Sequence, residues 1–273
     1  MDDYELIDVG GGARLERFGD HITDRPHGGA FADRREPRRW AEADLRFDRD
    51  RGWSGPGVAS AGMDWAVRIH DIAMHLRPTD AGQVGLFPEH AAMLPWLVDR
   101  VATRRAQARV LNLFAYTGLV TLVLARAGAS VAHVDAARST VAWARRNAEA
   151  NRLDDRPIRW LVDDVRSFVG REVRRGRRYD GVVLDPPTYG HGARGGAAWR
   201  LEIDLPALLQ DVRRLLVPHG FVVLTAHAGS VAPGDLGAAL EGVAPDVEVG
   251  DLRLDAATGA DLSLGAYARV AGT

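Results

Sequence analysis

The chain has 273 residues, of which 46% are apolar and 26% charged, and carries a formal net charge of −2, values of an ordinary globular protein with one large domain or a main domain and a small appendage. It contains no Cys and no Lys, so all 35 basic residues are Arg; disulfides, thiolate metal sites, covalent catalysis through sulfur, Schiff-base chemistry and the phosphate-binding lysine of a Walker A loop are excluded. No apolar run approaches the ~18 residues of a membrane span, and the acidic start Met1-Asp2-Asp3-Tyr4-Glu5 has no apolar stretch behind it, so a cytoplasmic protein is expected.

Residues 1–85 read as a small β-rich module. Its apolar stretches are Tyr4 to Val9, Trp65 to Ile69 and Ile72 to Leu76. Between them, over Asp24 to Gly62, Pro26, Pro37, Pro56 and several glycines predict long loops around one helical turn at Trp40 to Ala43. The string Arg34-Arg35-Glu36-Pro37-Arg38-Arg39-Trp40 reads either as solvated surface or as a basic, aromatic-bearing contact for nucleic acid.

From residue 86 to 273 strands and helices alternate, the signature of a parallel sheet with crossover helices. The predicted order is a helix over Glu89–Arg105, strand Val110–Phe114, helix Leu119–Arg126, strand Val131–Val134 and helix Arg138–Asn151. Then follow strand Ile158–Val162, helix Val165–Arg174, strand Gly181–Leu184, helix Ile203–Leu216, strand Phe221–Thr225 and helix Asp235–Val243. Two closing strands, Val247–Leu254 and Leu264–Val270, suggest a hairpin with one arm antiparallel to the rest.

In an open α/β sheet, ligands bind beyond the carboxyl ends of the strands. Two segments there carry the chemistry. Asn112, Leu113, Phe114, Ala115, Tyr116, Thr117 and Gly118 turn the first strand into its helix with one glycine at the helix entrance. A dinucleotide site would need three glycines in G-x-G-x-x-G to close on a pyrophosphate, and Phe-Ala-Tyr-Thr-Gly is too bulky for that, which disfavours an NAD-dependent oxidoreductase. Asp135 ends the second strand 17 residues after Gly118, where a carboxylate reaches both hydroxyls of a ribose. Asp163 and Asp164 close the third strand; one can accept from an adenine amino group while the other caps the next helix, and Asp164 is favoured for the adenine. In Asp185-Pro186-Pro187 the prolines fix φ and remove two donors, leaving exposed carbonyls on a rigid loop. Tyr189 follows as a stacking platform, His191 as a base or a loop polar group, and Glu202 as a helix-start residue.

At these residues the chain resembles the class I S-adenosylmethionine-dependent methyltransferases, and within them the bacterial 23S ribosomal RNA methyltransferase group and its uncharacterised relatives. The carrying stretches are Val110 to Gly118, Val134-Asp135, Ala142 to Asn151 with Asn147, Val162 to Val165 and Leu184-Asp-Pro-Pro-Thr-Tyr189, and the likeness spans roughly residues 83–228, with Gln83 to His90 leading in. The resemblance implies a Rossmann-like seven-stranded sheet binding S-adenosyl-L-methionine. Ala115 to Gly118 would line its methionine part, Asp135 its ribose and Asp164 its adenine, with Asp185, Pro186, Pro187 and Tyr189 facing the transferred methyl. Two departures stand out. Thr225-Ala-His-Ala-Gly-Ser230 lies where relatives that methylate carbon 5 of cytosine carry a cysteine, and Thr188 separates Pro187 from the aromatic Tyr189. The expected activity is direct methyl transfer to a nucleobase nitrogen, with ribosomal RNA as partner, approached through Arg34, Arg35, Arg38 and Arg39 with Arg194 and Arg200 on the other rim. The alternatives are a small-molecule acceptor under a lid formed by the N-terminal module, and a cofactor-binding module without activity.

Overall fold

A computed structural model describes residues 3–58, 65–190, 198–227, 231–243 and 246–271. The chain divides into two compact units, one of Met1–Ala91 with Arg253–Ser263, the other of Ala92–Leu252 with Leu264–Thr273.

The first unit holds a five-stranded sheet in the order β1 (Tyr4–Gly10), β2 (Ala13–Phe18), β3 (His21–Pro26), β4 (Leu45–Asp48), β5 (Gly52–Ser54). The first three strands form an antiparallel meander, β4 joins parallel to β3, and a separate antiparallel hairpin pairs β6 (Trp65–Ile69) with β7 (Ile72–Leu76). Helix α1 spans Pro37–Ala41. Strands β4 and β5 and the end of β3 fall in the Asp24–Gly62 stretch where long loops were expected, and β2 was not foreseen either. On β2 and β3 the reason is that the charges are buried. On β2 and β3 the Glu16 carboxylate takes the Arg25 guanidinium at 2.9 and 2.5 Å and the Tyr4 hydroxyl at 3.1 Å, with Arg14 beside it at 3.1 Å. Such strands look like polar surface in a sequence, although all four side chains are buried. The tip of the closing hairpin also belongs to this unit: the Ala257 N–H donates to the Leu6 carbonyl at 2.8 Å.

Around Asp8 the hydrogen bonding is dense. Its carboxylate accepts from the Trp40 indole at 2.7 Å, the N–H groups of Val9, Arg35 and Glu36 at 2.9, 2.8 and 3.0 Å, and the Thr258 hydroxyl at 3.1 Å. Burial opposes its charge, yet the bonds from Trp40, Glu36, Val9 and Thr258 hold the carboxyl below its ordinary range.

The second unit carries a seven-stranded sheet in the order β10-β9-β8-β11-β14-β16-β15. Its strands are β8 (Arg109–Leu113), β9 (Ser130–Asp135), β10 (Ile158–Val162), β11 (Tyr179–Leu184), β14 (Leu216–Ala226), β15 (Glu248–Asp255) and β16 (Asp261–Val270). The five from β10 to β14 are parallel, and β16 runs antiparallel to β14, as the closing hairpin predicts. The helices are α2 (Leu94–Ala102), α3 (Leu119–Arg126), α4 (Arg138–Ala150), α5 (Val165–Arg174), α6 (Leu201–Leu215) and α7 (Pro233–Glu241), and a two-residue ladder pairs β12 (Tyr189–Gly190) with β13 (Trp199–Arg200). Both faces of the central strands are covered, so those strands are mostly apolar. Leu111, Val134, Val182 and Leu224 pack with α5, α6 and α7, while Val110, Val131, Val183 and Val223 pack with α2 and α3. The helix expected over Glu89–Arg105 is shorter: Pro88–Met93 is a 3₁₀ turn, and α2 starts with Pro95 in its first turn, where a missing N–H costs nothing.

From β8 the chain steps outward to β9 and β10, then returns to place β11 on the other side of β8. The order reverses between β8 and β11, and a crevice for ligands opens at their carboxyl ends.

Candidate active site

The loop leaving β8 is tightly wound. Phe114 and Tyr116 adopt positive φ, +56° and +48°, and Gly118 stands at +96°. Each non-glycine in this region costs about 1–2 kcal/mol, so the turn must be held from outside. The Asp135 carboxylate does much of this: Oδ2 accepts the Tyr116 N–H at 3.0 Å and Oδ1 the Ala137 N–H at 2.9 Å. Burial pushes that carboxyl up, and the two N–H groups pull it back only in part. The Ala115 N–H reaches the Val134 carbonyl at 3.1 Å, and the Asn147 amide of α4 donates to the Thr117 carbonyl at 2.9 Å. A Cβ on Gly118 would lie 3.1 Å from that of Ala144, so glycine is needed there for both backbone angle and space.

Beneath the loop lies a buried polar chain. The Asn112 amide donates to the Thr121 hydroxyl at 2.9 Å, and Thr121 lies 2.9 Å from Nδ1 of His133. Burial, helped by Arg145, pushes His133 down to about 3, so the imidazole that meets the Thr121 hydroxyl is neutral. Asn112 thus points into the joint between β8 and α3.

At the end of β10 the two acidic residues differ. Asp164 is the N-cap of α5, accepting the Ser167 N–H at 3.0 Å and Arg166 at 3.1 Å. Burial opposes its charge, but Arg166 and Ser167 hold it below the ordinary carboxylate range. Asp163 pairs with Arg171 one turn further along α5, and its N–H donates to the Asp135 carbonyl at 3.0 Å.

Asp185 emerges from β11, beside the glycine loop, with its N–H 3.4 Å from the Leu113 carbonyl. Two residues of the β14 end clasp it. The Thr225 hydroxyl donates to Oδ1 at 2.5 Å, and Nε2 of His227 lies 3.1 Å from the same oxygen. Nδ1 of His227 is 3.1 Å from the Leu264 carbonyl; a carbonyl only accepts, so Nδ1 carries a proton and the ring is turned with Nε2 toward the carboxylate. One carbonyl expected to be exposed is engaged: Pro187 accepts the Trp199 indole N–H at 2.7 Å. Tyr189, 56% exposed, sits on β12 opposite the exposed Arg200. Glu202 lies in the first turn of α6, as a helix-start residue should, and His191 and Arg194 fall outside the described residues.

The structure therefore brings Phe114 to Gly118 and Asp185 to Pro187 to adjacent strand ends, with Asp135 one strand away and Asp163 and Asp164 two. Thr225 and His227 drew notice in the sequence only as part of a segment without cysteine, and Trp199 drew none. Only the pairing of Leu184 with Leu224 shows that the next residues on each strand, Asp185 and Thr225, lie side by side. In the first unit, Trp40 of the basic string is 4% exposed, so it is a core residue and no stacking surface. Arg34 lies over its ring at 3.8 Å, Arg39 pairs with Glu42 at 3.0 Å, and Arg35 donates to the Thr258 carbonyl at 2.9 Å.

A family model described as S-adenosylmethionine-dependent methyltransferase matches residues 62–254. The chain belongs to that family. The crystal structure of a SAM-dependent methyltransferase from Agrobacterium tumefaciens is similar over 99% of this chain and 91% of its own, with 34% identity and a TM-score of 0.94. Among curated relatives, the ribosomal RNA large subunit methyltransferase K/L of Methylococcus capsulatus is 34% identical over 144 residues, 52% of this chain and 19% of that protein. The ribosomal RNA large subunit methyltransferase K of Neisseria meningitidis is 29% identical over 153 residues, 56% of this chain and 42% of that protein. The chain thus spans less than half the length of these curated relatives. It has the seven-stranded fold expected of that family, and among the described residues no helix is long and apolar enough to cross a membrane.

Proposed function

We propose that this methyltransferase acts on a nitrogen of an RNA nucleobase, in ribosomal RNA, by direct transfer. The observation that carries the reading is Asp185: a carboxylate at the reversal point of the sheet, clasped by Thr225 and His227 and followed by a rigid Pro-Pro turn and an exposed tyrosine. A carboxylate so placed accepts a hydrogen bond from an amino or ring N–H, orients its lone pair and steadies the positive charge that grows on the nitrogen. With no cysteine in the chain, covalent attack on a pyrimidine ring is closed.

The residues around the crevice suit the cofactor. S-adenosylmethionine supplies an electrophilic methyl group on a sulfonium. Residues 114–118 and Asp185 bring backbone groups, apolar rings and a carboxylate, a set that suits a cation and offers nothing to a pyrophosphate. Asp135 would take the ribose hydroxyls on the lone pairs its two N–H bonds leave, and Asp164, whose carboxylate offers about four acceptor sites, the adenine amino group, with Asp163 alongside. Tyr189 would stack on the extruded base and Arg200 approach a phosphate. The names of the curated relatives support the RNA class.

A small-molecule acceptor is the second reading, favoured by one observation: three of the four arginines of the basic string are engaged within their own unit. The test is transfer of a tritiated methyl group from S-adenosylmethionine to transcribed ribosomal RNA, with nucleoside analysis of total RNA from cells with and without the gene. Label in a methylated base that disappears with the gene is the expected result. Unlabelled RNA and identical nucleoside profiles would overturn the RNA reading.

A further inference from the structure

Two loops must hold a fixed distance for methyl transfer, the Phe114–Gly118 turn after β8 and the Asp185–Pro187 turn after β11. The backbone gives little help, because Pro186 and Pro187 have no N–H to anchor and the link from Asp185 to Leu113 is a long 3.4 Å. One side chain touches both. The Trp199 indole N–H donates to the Pro187 carbonyl at 2.7 Å, and its ring meets Phe114 edge-on with centroids 4.9 Å apart. Trp199 is itself immobilised: 4% exposed, paired through β13 with Gly190, and followed two residues on by Leu201, whose N–H donates to the Thr188 carbonyl at 3.0 Å.

We propose that Trp199 is a positioning residue that sets the spacing of the two loops, the ring fixing Phe114 on one side and the indole N–H fixing the Pro-Pro turn on the other. The proposal rests on the assignment of these loops to cofactor and acceptor. An aromatic in a positive-φ conformation keeps its place only against a rigid surface, and Trp199 provides it. The Pro187 carbonyl, oriented by the indole, fixes in turn the direction of the Asp185 side chain two residues earlier. A small misplacement of such a group costs large factors in rate.

Three variants of the full chain separate the two contacts. Trp199→Phe keeps an aromatic edge for Phe114 and removes the N–H. Its affinity for S-adenosylmethionine by calorimetry should stay within twofold of wild type, while the single-turnover rate on transcribed ribosomal RNA at saturating S-adenosylmethionine falls about tenfold. Trp199→Leu removes both contacts and should weaken S-adenosylmethionine about fivefold as well. Phe114→Leu removes the edge contact from the other side and should weaken it to a similar degree. Unchanged affinity in both Trp199→Leu and Phe114→Leu, or a Trp199→Phe enzyme that transfers at the wild-type rate, overturns the proposal. So does a loss of affinity in Trp199→Phe equal to that in Trp199→Leu. Should wild type label no RNA, the RNA reading fails by itself, and the affinities of Trp199→Leu and Phe114→Leu, which need no acceptor, still decide the role of Trp199.

Discussion

Replacing Gly118 with alanine sets backbone strain and packing against cofactor affinity in one substitution. At φ +96° an L-residue is outside its comfortable left-handed region, which costs about 1–2 kcal/mol. The new Cβ would lie 3.1 Å from the Ala144 Cβ and 3.6 Å from its Cα, so either α4 or the loop must yield, at about 1–3 kcal/mol for an overpacked site. Alanine stiffens the unfolded chain and returns about 0.4–1 kcal/mol. The net loss is about 1–5 kcal/mol by these figures. Where the loop yields, the strain appears in binding, and 1.4 kcal/mol is about tenfold in Kd. Calorimetry with S-adenosylmethionine and thermal melts of the same variant measure both parts. A Gly118→Ala protein with wild-type Kd and an unmoved melting temperature would show that neither strain nor packing at this turn matters, and would sink the assignment of the loop as a held conformation.

Asp135→Ala should weaken S-adenosylmethionine by about 2–4 kcal/mol, because the carboxylate serves the Tyr116 and Ala137 N–H groups and, in the proposed assignment, the ribose as well; calorimetry with unchanged affinity refutes it. Asp185→Ala should abolish methyl transfer while leaving cofactor affinity within a few-fold, and a variant turning over near the wild-type rate would move catalysis elsewhere. Thr225→Val should slow transfer and Thr225→Ser restore it, since only a hydroxyl keeps the 2.5 Å bond to Asp185; equal rates for the two refute that clasp. Asp8→Ala should destabilise the first unit by about 3 kcal/mol at pH 7, given hydrogen bonds to a buried charge. The Asp8 carboxyl is depressed in the folded state, so its contribution is full above the unfolded value of about 3.9 and fades as pH falls through the folded one. The gap between wild type and variant in urea unfolding should therefore narrow as pH falls below about 3.9, and a pH-independent gap would refute the charge argument.

The parallel strands of the second unit were legible because burial on both faces makes them runs such as Val110 to Leu113 and Val182 to Leu184, with abrupt polar ends. The strands of the first unit were not, for the opposite reason. Ala13–Phe18 and His21–Pro26 keep Arg14, Glu16 and Arg25 inside, neutralised by one another, and period-two reasoning assumes that charges face water. The basic string left two readings open, solvated surface and an aromatic-bearing contact; Arg34, Arg35 and Arg38 are exposed, whereas the Trp40 N–H closes the Asp8 network from within.

In the active site, the residues that end strands showed themselves, and those that hold them did not. Asp135 and Asp185 are visible because an acidic residue after an apolar run is an unusual local pattern. Thr225, 40 residues beyond Asp185, and Trp199, 14 beyond, occupy ordinary contexts, a strand end and the start of a helix; their importance is a matter of register. Once β14 lies parallel to β11 with Val183 against Val223 and Leu184 against Leu224, Thr225 must adjoin Asp185, and His227, two residues on, returns to the same side of the strand. Short-range pairing of β12 with β13 likewise folds Trp199 back under the Pro-Pro turn. The geometry around Asp185, the proposed acceptor side, is thus fixed by strand pairing that joins distant residues, while the residues proposed for the cofactor lie within the strand-to-helix turns themselves, which is why a sequence shows the second far better than the first.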